Sequence, residues 1–207
     1  MPFITFEGIE GSGKTTQARR LAESLGPGVV LTFEPGATAL GRKLRELVLD
    51  ARDLPIAADT ELLLFSTDRA QHVSEVITPA LRDGKIVLCD RYVDSTLAYQ
   101  GFGRGVPLDR IRTLSEIATG GLKPDLTILL DVPVALGLGR AGRRGLRDRI
   151  ESEVESFHAR VSDGFRTLAA QEPARWVKVD GTGDPEAIAA TVRAAAFARG
   201  WGGHAVR

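Results

Sequence analysis

Gly8-Ile9-Glu10-Gly11-Ser12-Gly13-Lys14-Thr15 has the spacing G-x-x-x-x-G-K-T, with which a backbone loop cradles the phosphates of a nucleotide. Its glycines permit the turn in which successive N–H groups point inward, and a following helix adds partial positive charge. Lys14 would reach the β- and γ-phosphates, and the Thr15 hydroxyl would ligate Mg²⁺. Gly8, Ile9, Glu10, Gly11, Ser12, Gly13, Lys14, Thr15 and Thr16 are therefore the expected ATP-binding turn. Glu10 is its odd member, because a carboxylate aimed inward would repel phosphate.

Two further stretches carry cations. Asp90-Arg91-Tyr92 follows an apolar run; Arg91 has the planar fork that can bridge two phosphates, and Asp90 could orient it or a Mg²⁺-bound water. Arg140 to Arg149 holds five arginines in ten residues, with Gly137, Gly139, Gly142 and Gly145 interspersed. This reads as a mobile basic lid at about 137–150, able to exclude water and neutralise charge over a phosphate. Phosphate loops also serve switches and transporters, but the chain has neither an N-K-x-D base-reading motif nor L-S-G-G-Q. What remains favours a small-molecule kinase, in which two anionic groups need several cations around them.

The elements that must position these residues alternate. Apolar runs at Phe3–Phe6, Val29–Phe33, Ile86–Cys89, Leu126–Leu130 and Arg175–Val179 read as strands. Helical spacing is found at Thr15–Leu25, Thr38–Leu49, Ala57–Ile77, Ser95–Tyr99, Leu108–Thr119, Val134–Arg140, Glu151–Gln171 and Pro185–Ala198. Gly101 to Gly105 reads as a flexible turn. The alternation predicts an α/β fold of the phosphate-loop NTPase type: three layers, with a five-stranded parallel sheet and helices on both faces. Such sheets bind ligands beyond their C-terminal strand ends. Glu34, Asp90, Arg91 and Asp131 all sit there, on the rim that the phosphate loop shares.

The 207 residues fit one domain, and 27 basic side chains balance 27 acidic ones. That balance argues against a protein built to grip nucleic acid. No apolar run is long enough for a membrane span, and the lone Cys89 suits a reducing cytoplasm, as core filler.

The chain resembles bacterial thymidylate kinases. The resemblance rests on Phe3–Thr16, Glu34-Pro35-Gly36, Leu64–His72, Asp90–Gly101 and Asp148–Glu151, in that order along nearly the whole sequence. It implies ATP and dTMP as substrates, Mg²⁺ with the ATP, and a homodimer. It places Phe65 and Arg69, four residues apart on one helix, at the thymine ring and its O4. Thr96 and Gln100 fall at the base edge, Tyr99 by the sugar, and Arg45 and Arg91 on the monophosphate. Glu34 belongs to the same acceptor group, and Glu10 would face the sugar 3′-OH. With Gly11 where some relatives carry an arginine, the catalytic cations join Lys14 and Arg91 from the lid: Arg143, Arg147 or Arg149. A kinase of another nucleoside monophosphate, or a phosphate-loop ATPase switch, would share the loop. One departure concerns Phe33, which stands where many bacterial members have arginine. Asp180 to Asp184 is a candidate rim for adenine by position.

Overall fold

Five apolar runs form the strands of one parallel sheet: β1 (Phe3–Glu7), β2 (Val29–Phe33), β3 (Ile86–Asp90), β4 (Leu126–Asp131) and β5 (Trp176–Asp180). Their order is β2-β3-β1-β4-β5. The structure, a computed structural model, describes residues 1–51, 54–143 and 148–201. β1 is central and buried along its length, as a strand covered on both faces must be. Register sets Phe6 beside Asp90, so the phosphate loop and Arg91 leave the sheet side by side.

The helices are α1 (Lys14–Leu25), α2 (Ala39–Arg45), α3 (Ala58–His72), α4 (Thr78–Arg82), α5 (Val93–Thr96), α6 (Leu108–Thr119), α7 (Val134–Gly142), α8 (Glu155–Gln171) and α9 (Pro185–Phe197). On one face, α1 and α9 press Ala18, Leu21, Ile188 and Val192 onto Ile4, Phe6, Leu88 and Ile128. On the other, Leu62 of α3, Ile111 of α6 and Phe157, Val161 and Phe165 of α8 gather around Leu129 and Tyr99. Phe3, Val87 and Cys89 pack there against Ile77 and Tyr92, so Cys89 is core, as expected.

Three local expectations change. Gly101 to Gly105 is not a flexible turn: α5 runs on through a π-helical segment, Leu97–Gly103. A Cβ on Gly101 would lie 2.5 Å from Leu108 Cδ2, and one on Gly103 2.6 Å from Phe157 Cε2. These glycines admit α6 and α8 at close range. α8 starts at Glu155 rather than Glu151, because the Asp148 carboxylate accepts from the amides of Ile150 and Glu151 (2.9 and 2.8 Å) and folds the preceding residues into a turn. The long helix expected over Ala57–Ile77 is α3 widened into a π-helical turn at Val73–Ile77, which leads straight into α4.

Candidate active site

The phosphate loop joins β1 to α1. Gly13, its last residue before α1, has φ 98°, and a Cβ placed on it would meet nothing within 4 Å, so the left-handed backbone alone selects glycine. At Gly11 space decides: a Cβ would lie 2.1 Å from the Gly137 carbonyl oxygen in α7. Loop and α7 therefore touch backbone to backbone. Helical bonding begins with Gln17 N–H donating to Gly13 O (3.0 Å), which leaves the first amides of α1 for an anion.

Lys14 Nζ donates to the carbonyls of Gly8 (3.0 Å) and Ile9 (2.8 Å). Burial, reinforced by Arg91, pulls its pKa down to about 8 against the carboxylates of Asp90, Glu10 and Glu7. Thr15 Oγ1 donates to Asp90 Oδ2. A hydroxyl and a carboxylate thus meet at the mouth of the loop, and such hard oxygens suit Mg²⁺.

Arg91 leaves β3 with φ 72°, the one non-glycine among the described residues in the left-handed region. That conformation costs about 1–2 kcal/mol and needs support from its surroundings. Glu7 provides it. Its Oε1 accepts from Tyr92 N–H (2.8 Å) and its Oε2 from Ser95 Oγ (2.6 Å). Arg91 in turn donates to Ser95 Oγ and Gly8 O, both at 3.1 Å, and to Glu10 Oε1 at 3.1 Å, with its guanidinium over the Tyr99 ring. Burial, then the nearby Asp94, pushes the Glu7 carboxyl up to about 8. For Glu10 burial acts the same way, but His158, Arg91, Lys14 and Tyr99 overcome it and bring the pKa to about 2. Glu10 Oε1 also accepts from Tyr99 OH (2.5 Å). The side chain therefore points toward Arg91 and Tyr99, leaving only its backbone to the phosphate cradle.

Glu61, Phe65 and Arg69 recur every four residues along α3, one stripe whose Arg69 end reaches the loop after β2 and whose Glu61 end meets Gln100. Arg69 is buried. Its Nε donates to Glu34 Oε2 (2.9 Å) and its Nη2 to Tyr92 O (3.0 Å), while Nη1 has no partner among the described residues. Glu34 gives its other oxygen to His72 Nδ1 (2.9 Å), whose Nε2 meets Thr32 Oγ1 (2.7 Å). Both carboxylate oxygens are thus committed, so Glu34 holds Arg69 in place. The same commitments tie up Glu34 and His72 as ligands for a metal, although they cluster with Cys89. Arg45 Nη1 donates to Pro35 O (2.9 Å).

One cavity of about 920 Å³ connects these parts. Its wall includes Gly11 and Gly13–Thr16 at one end, Asp90 and Arg91 in the middle, and Arg45, Phe65, Arg69, Thr96, Tyr99 and Gln100 at the other. Neither Arg143 nor Arg149, the described lid arginines proposed for catalysis, lines it. Arg149 is drawn away: its Nε donates to Val48 O (2.9 Å) and its Nη2 to Glu61, so its expected place on the phosphates is corrected to a structural one. Arg143 is exposed at the end of α7, and Arg147 lies outside the described residues. Arg140 of the same run donates to Gly181 O (2.8 Å), fastening α7 to the loop after β5. Gly181 in turn approaches Ser12 of the phosphate loop.

Glu7, Ser95 and Glu61 do not stand out in the sequence. The one signal for Glu61 is its place in the four-residue stripe with Phe65 and Arg69. Glu7 shows only as a charge ending an apolar strand.

A sequence description of the family named Thymidylate kinase matches residues 6–192. A thymidylate kinase of Desulfovibrio desulfuricans is 52% identical over 203 residues, covering 93% of this chain and 94% of its own. One from a Nostoc species is 53% identical over 198 residues, 92% of this chain and 93% of its own. The crystal structure of the Ehrlichia chaffeensis thymidylate kinase superposes with a TM-score of 0.77 at 36% identity, over 95% of this chain and 98% of that one.

Proposed function

We propose, for a chain that belongs to the thymidylate kinase family, transfer of the γ-phosphoryl group of ATP to dTMP, giving dTDP and ADP. The observation that carries this reading is the shared cavity, with a phosphate cradle at one end, a planar ring and buried arginine at the other, and Arg91 between.

The acceptor phosphate oxygen attacks the γ-phosphorus, and the bond to the β-bridging oxygen breaks with its electrons going to ADP. A phosphomonoester has a second pKa of about 6, so the nucleophile is ionised at neutral pH and needs no general base. Catalysis then reduces to alignment and to cations at the points of greatest charge. Lys14 and the amides of α1 hold the donor. Arg91 stays cationic because Tyr99, Glu10, Asp90 and Glu7 outweigh its burial, and it draws the two phosphates together. Thr15 and Asp90 are the residues that would hold Mg²⁺, which neutralises phosphate charge when bound. Phe65 stacks on the thymine and Arg69 donates to its O4. Thr96 and Gln100 line the base edge, while Tyr99 and Glu10 lie by the sugar and Arg45 by the monophosphate. Of the lid arginines, Arg143 and Arg147 keep their proposed catalytic role.

The single domain, the homodimer and the cytoplasmic setting are parts of the same reading. They are supported by the family resemblance and the buried lone cysteine. Among the described residues no helix is long and apolar enough to cross a membrane.

A coupled assay of ADP release tests the reaction, with dTMP, dUMP, dCMP and dGMP offered separately. dTMP should give the highest kcat/KM. Faster turnover of another monophosphate, or ATP hydrolysis indifferent to all four, overturns the proposal.

A further inference from the structure

Gln100 lines the end of the cavity proposed for the base, yet its amide is not free to turn. Its Nε2 donates to Glu61 Oε1 at 2.8 Å. Arg104 donates to both oxygens of Glu61 (Nε to Oε1 and Nη2 to Oε2, each 3.2 Å), and Arg149 donates to Oε2. Glu61 is almost wholly enclosed. Burial pushes its pKa up, but Arg104, Gln100 and Arg149 together outweigh it and hold the pKa below the ordinary value. An ionised carboxylate can only accept. The Gln100 NH₂ must therefore face Glu61, and its carbonyl oxygen is turned the other way. No described residue donates to that oxygen.

We infer that Glu61 is a specificity-positioning residue: by fixing the Gln100 amide it makes the pocket present an acceptor to position 3 of a pyrimidine. This rests on the thymidylate reading above. Thymine carries a donor there (N3–H) and an acceptor at O4. Cytosine reverses both, with a lone pair at N3 and an amino group at C4. Arg69 adds a buried donor, its unpartnered Nη1, on the same wall. The pair of acceptor and donor matches thymine and opposes cytosine at two atoms. Buried polar groups left unpaired are what give such sites their discrimination.

Glu61 touches no substrate, and its contribution is to the choice between bases. Replacing it with glutamine supplies an amide that can donate as well as accept, so Gln100 can flip and offer its NH₂ to N3.

The test measures kcat/KM for dTMP and for 5-methyl-dCMP, which differ only in the groups at positions 3 and 4. In the unaltered chain dTMP should be favoured strongly. Glu61→Gln should shrink that ratio by about tenfold or more, whereas a general loosening of the fold would lower both rates alike. Melting curves accompany the kinetics. If Glu61→Gln does not fold, Glu61→Asp keeps the charge but draws it back one methylene, and should narrow the ratio in the same direction. A folded variant of either kind with an unchanged ratio, beside an unaltered chain active on dTMP, overturns the role of Glu61 alone. An unaltered chain inactive on both nucleotides overturns the proposed reaction together with this inference.

Discussion

The two ends of the cavity are built by different means. At the proposed donor end, Gly8 to Thr15 form one continuous loop, and the groups it offers a phosphate are mostly backbone amides whose direction is set by local turn geometry. At the acceptor end, the walls come from the loop after β2, from α2 and α3 and from the residues after β3. Their side chains are aimed by ion pairs and hydrogen bonds such as Glu34–Arg69 and Glu61–Gln100. The first kind of site survives changes to distant residues but tolerates no side chain at its glycines, for want of space at Gly11 and by its left-handed backbone at Gly13. The second accepts changes of shape but fails when one partner of a buried pair is lost.

The largest effect is expected at the donor end. Lys14→Ala should lower kcat at least about 10²–10³-fold, with a melting temperature close to that of the unaltered chain. Loss of folding rather than turnover would show that Lys14 chiefly braces the carbonyls of Gly8 and Ile9. At the acceptor end the order of damage reverses. Glu34→Ala leaves the enclosed Arg69 guanidinium without its counter-charge, and a broken buried pair costs about 3–5 kcal/mol. Urea unfolding should register that loss, and KM should rise for dTMP while staying level for ATP. An equal rise in both would mean that the two ends are not separately built.

This contrast explains what could be read from the sequence. The donor end is legible because its chemistry is contiguous: G-x-x-x-x-G-K-T between a strand and a helix leaves little choice of geometry. The parallel sheet follows from the same alternation. Arg69 and Phe65 are legible as a spacing along one helix. Glu34 reads as a substrate contact, but its two oxygens are occupied by Arg69 and His72, a fact that depends on partners more than thirty residues away. Arg149 misleads for a similar reason. An arginine beside a glycine-rich run looks like a lid cation until Glu61 and the Val48 carbonyl are seen to hold it. Gly101 and Gly103 mislead because a glycine under a close-packed side chain and a glycine in a turn look identical in one dimension.

Between the two ends stands the Arg91 turn, where pH offers a sharper probe. The Glu7 carboxyl has a folded-state pKa of about 8 against an ordinary 4.5, with burial as the main cause. From about pH 4.5 to 8 the unfolded chain has released this proton and the folded chain still holds it. Unfolding stability from this group therefore declines as pH rises through that window, then levels off. Glu7→Gln keeps an acceptor for Tyr92 N–H, offers an NH₂ where Oε2 accepted from Ser95 Oγ, and cannot ionise. Its stability should be flat where that of the unaltered chain falls, so the two curves should separate progressively up to pH 8. Parallel curves would mean that Glu7 is already charged at neutral pH and pairs directly with Arg91.

The smallest effect is expected at the edge of the sheet, where the two modes of construction meet. Phe33 ends β2, half-exposed, and lines the cavity beside Gly36 and Arg45. An arginine there would add a cation near the monophosphate, but one still washed by solvent, where a charge pair contributes about 1 kcal/mol or less. Phe33→Arg should accordingly lower KM for dTMP by about fivefold at most, leave kcat and KM for ATP unchanged, and lose its advantage as salt is raised. A larger gain that persists in high salt would place position 33 in a desolvated part of the site, and the phosphate would then sit closer to β2 than Arg45 and Arg91 imply. An unchanged KM would show that Arg45 and Arg91 already neutralise the acceptor, so that the chain can carry an aromatic ring here at no cost to binding.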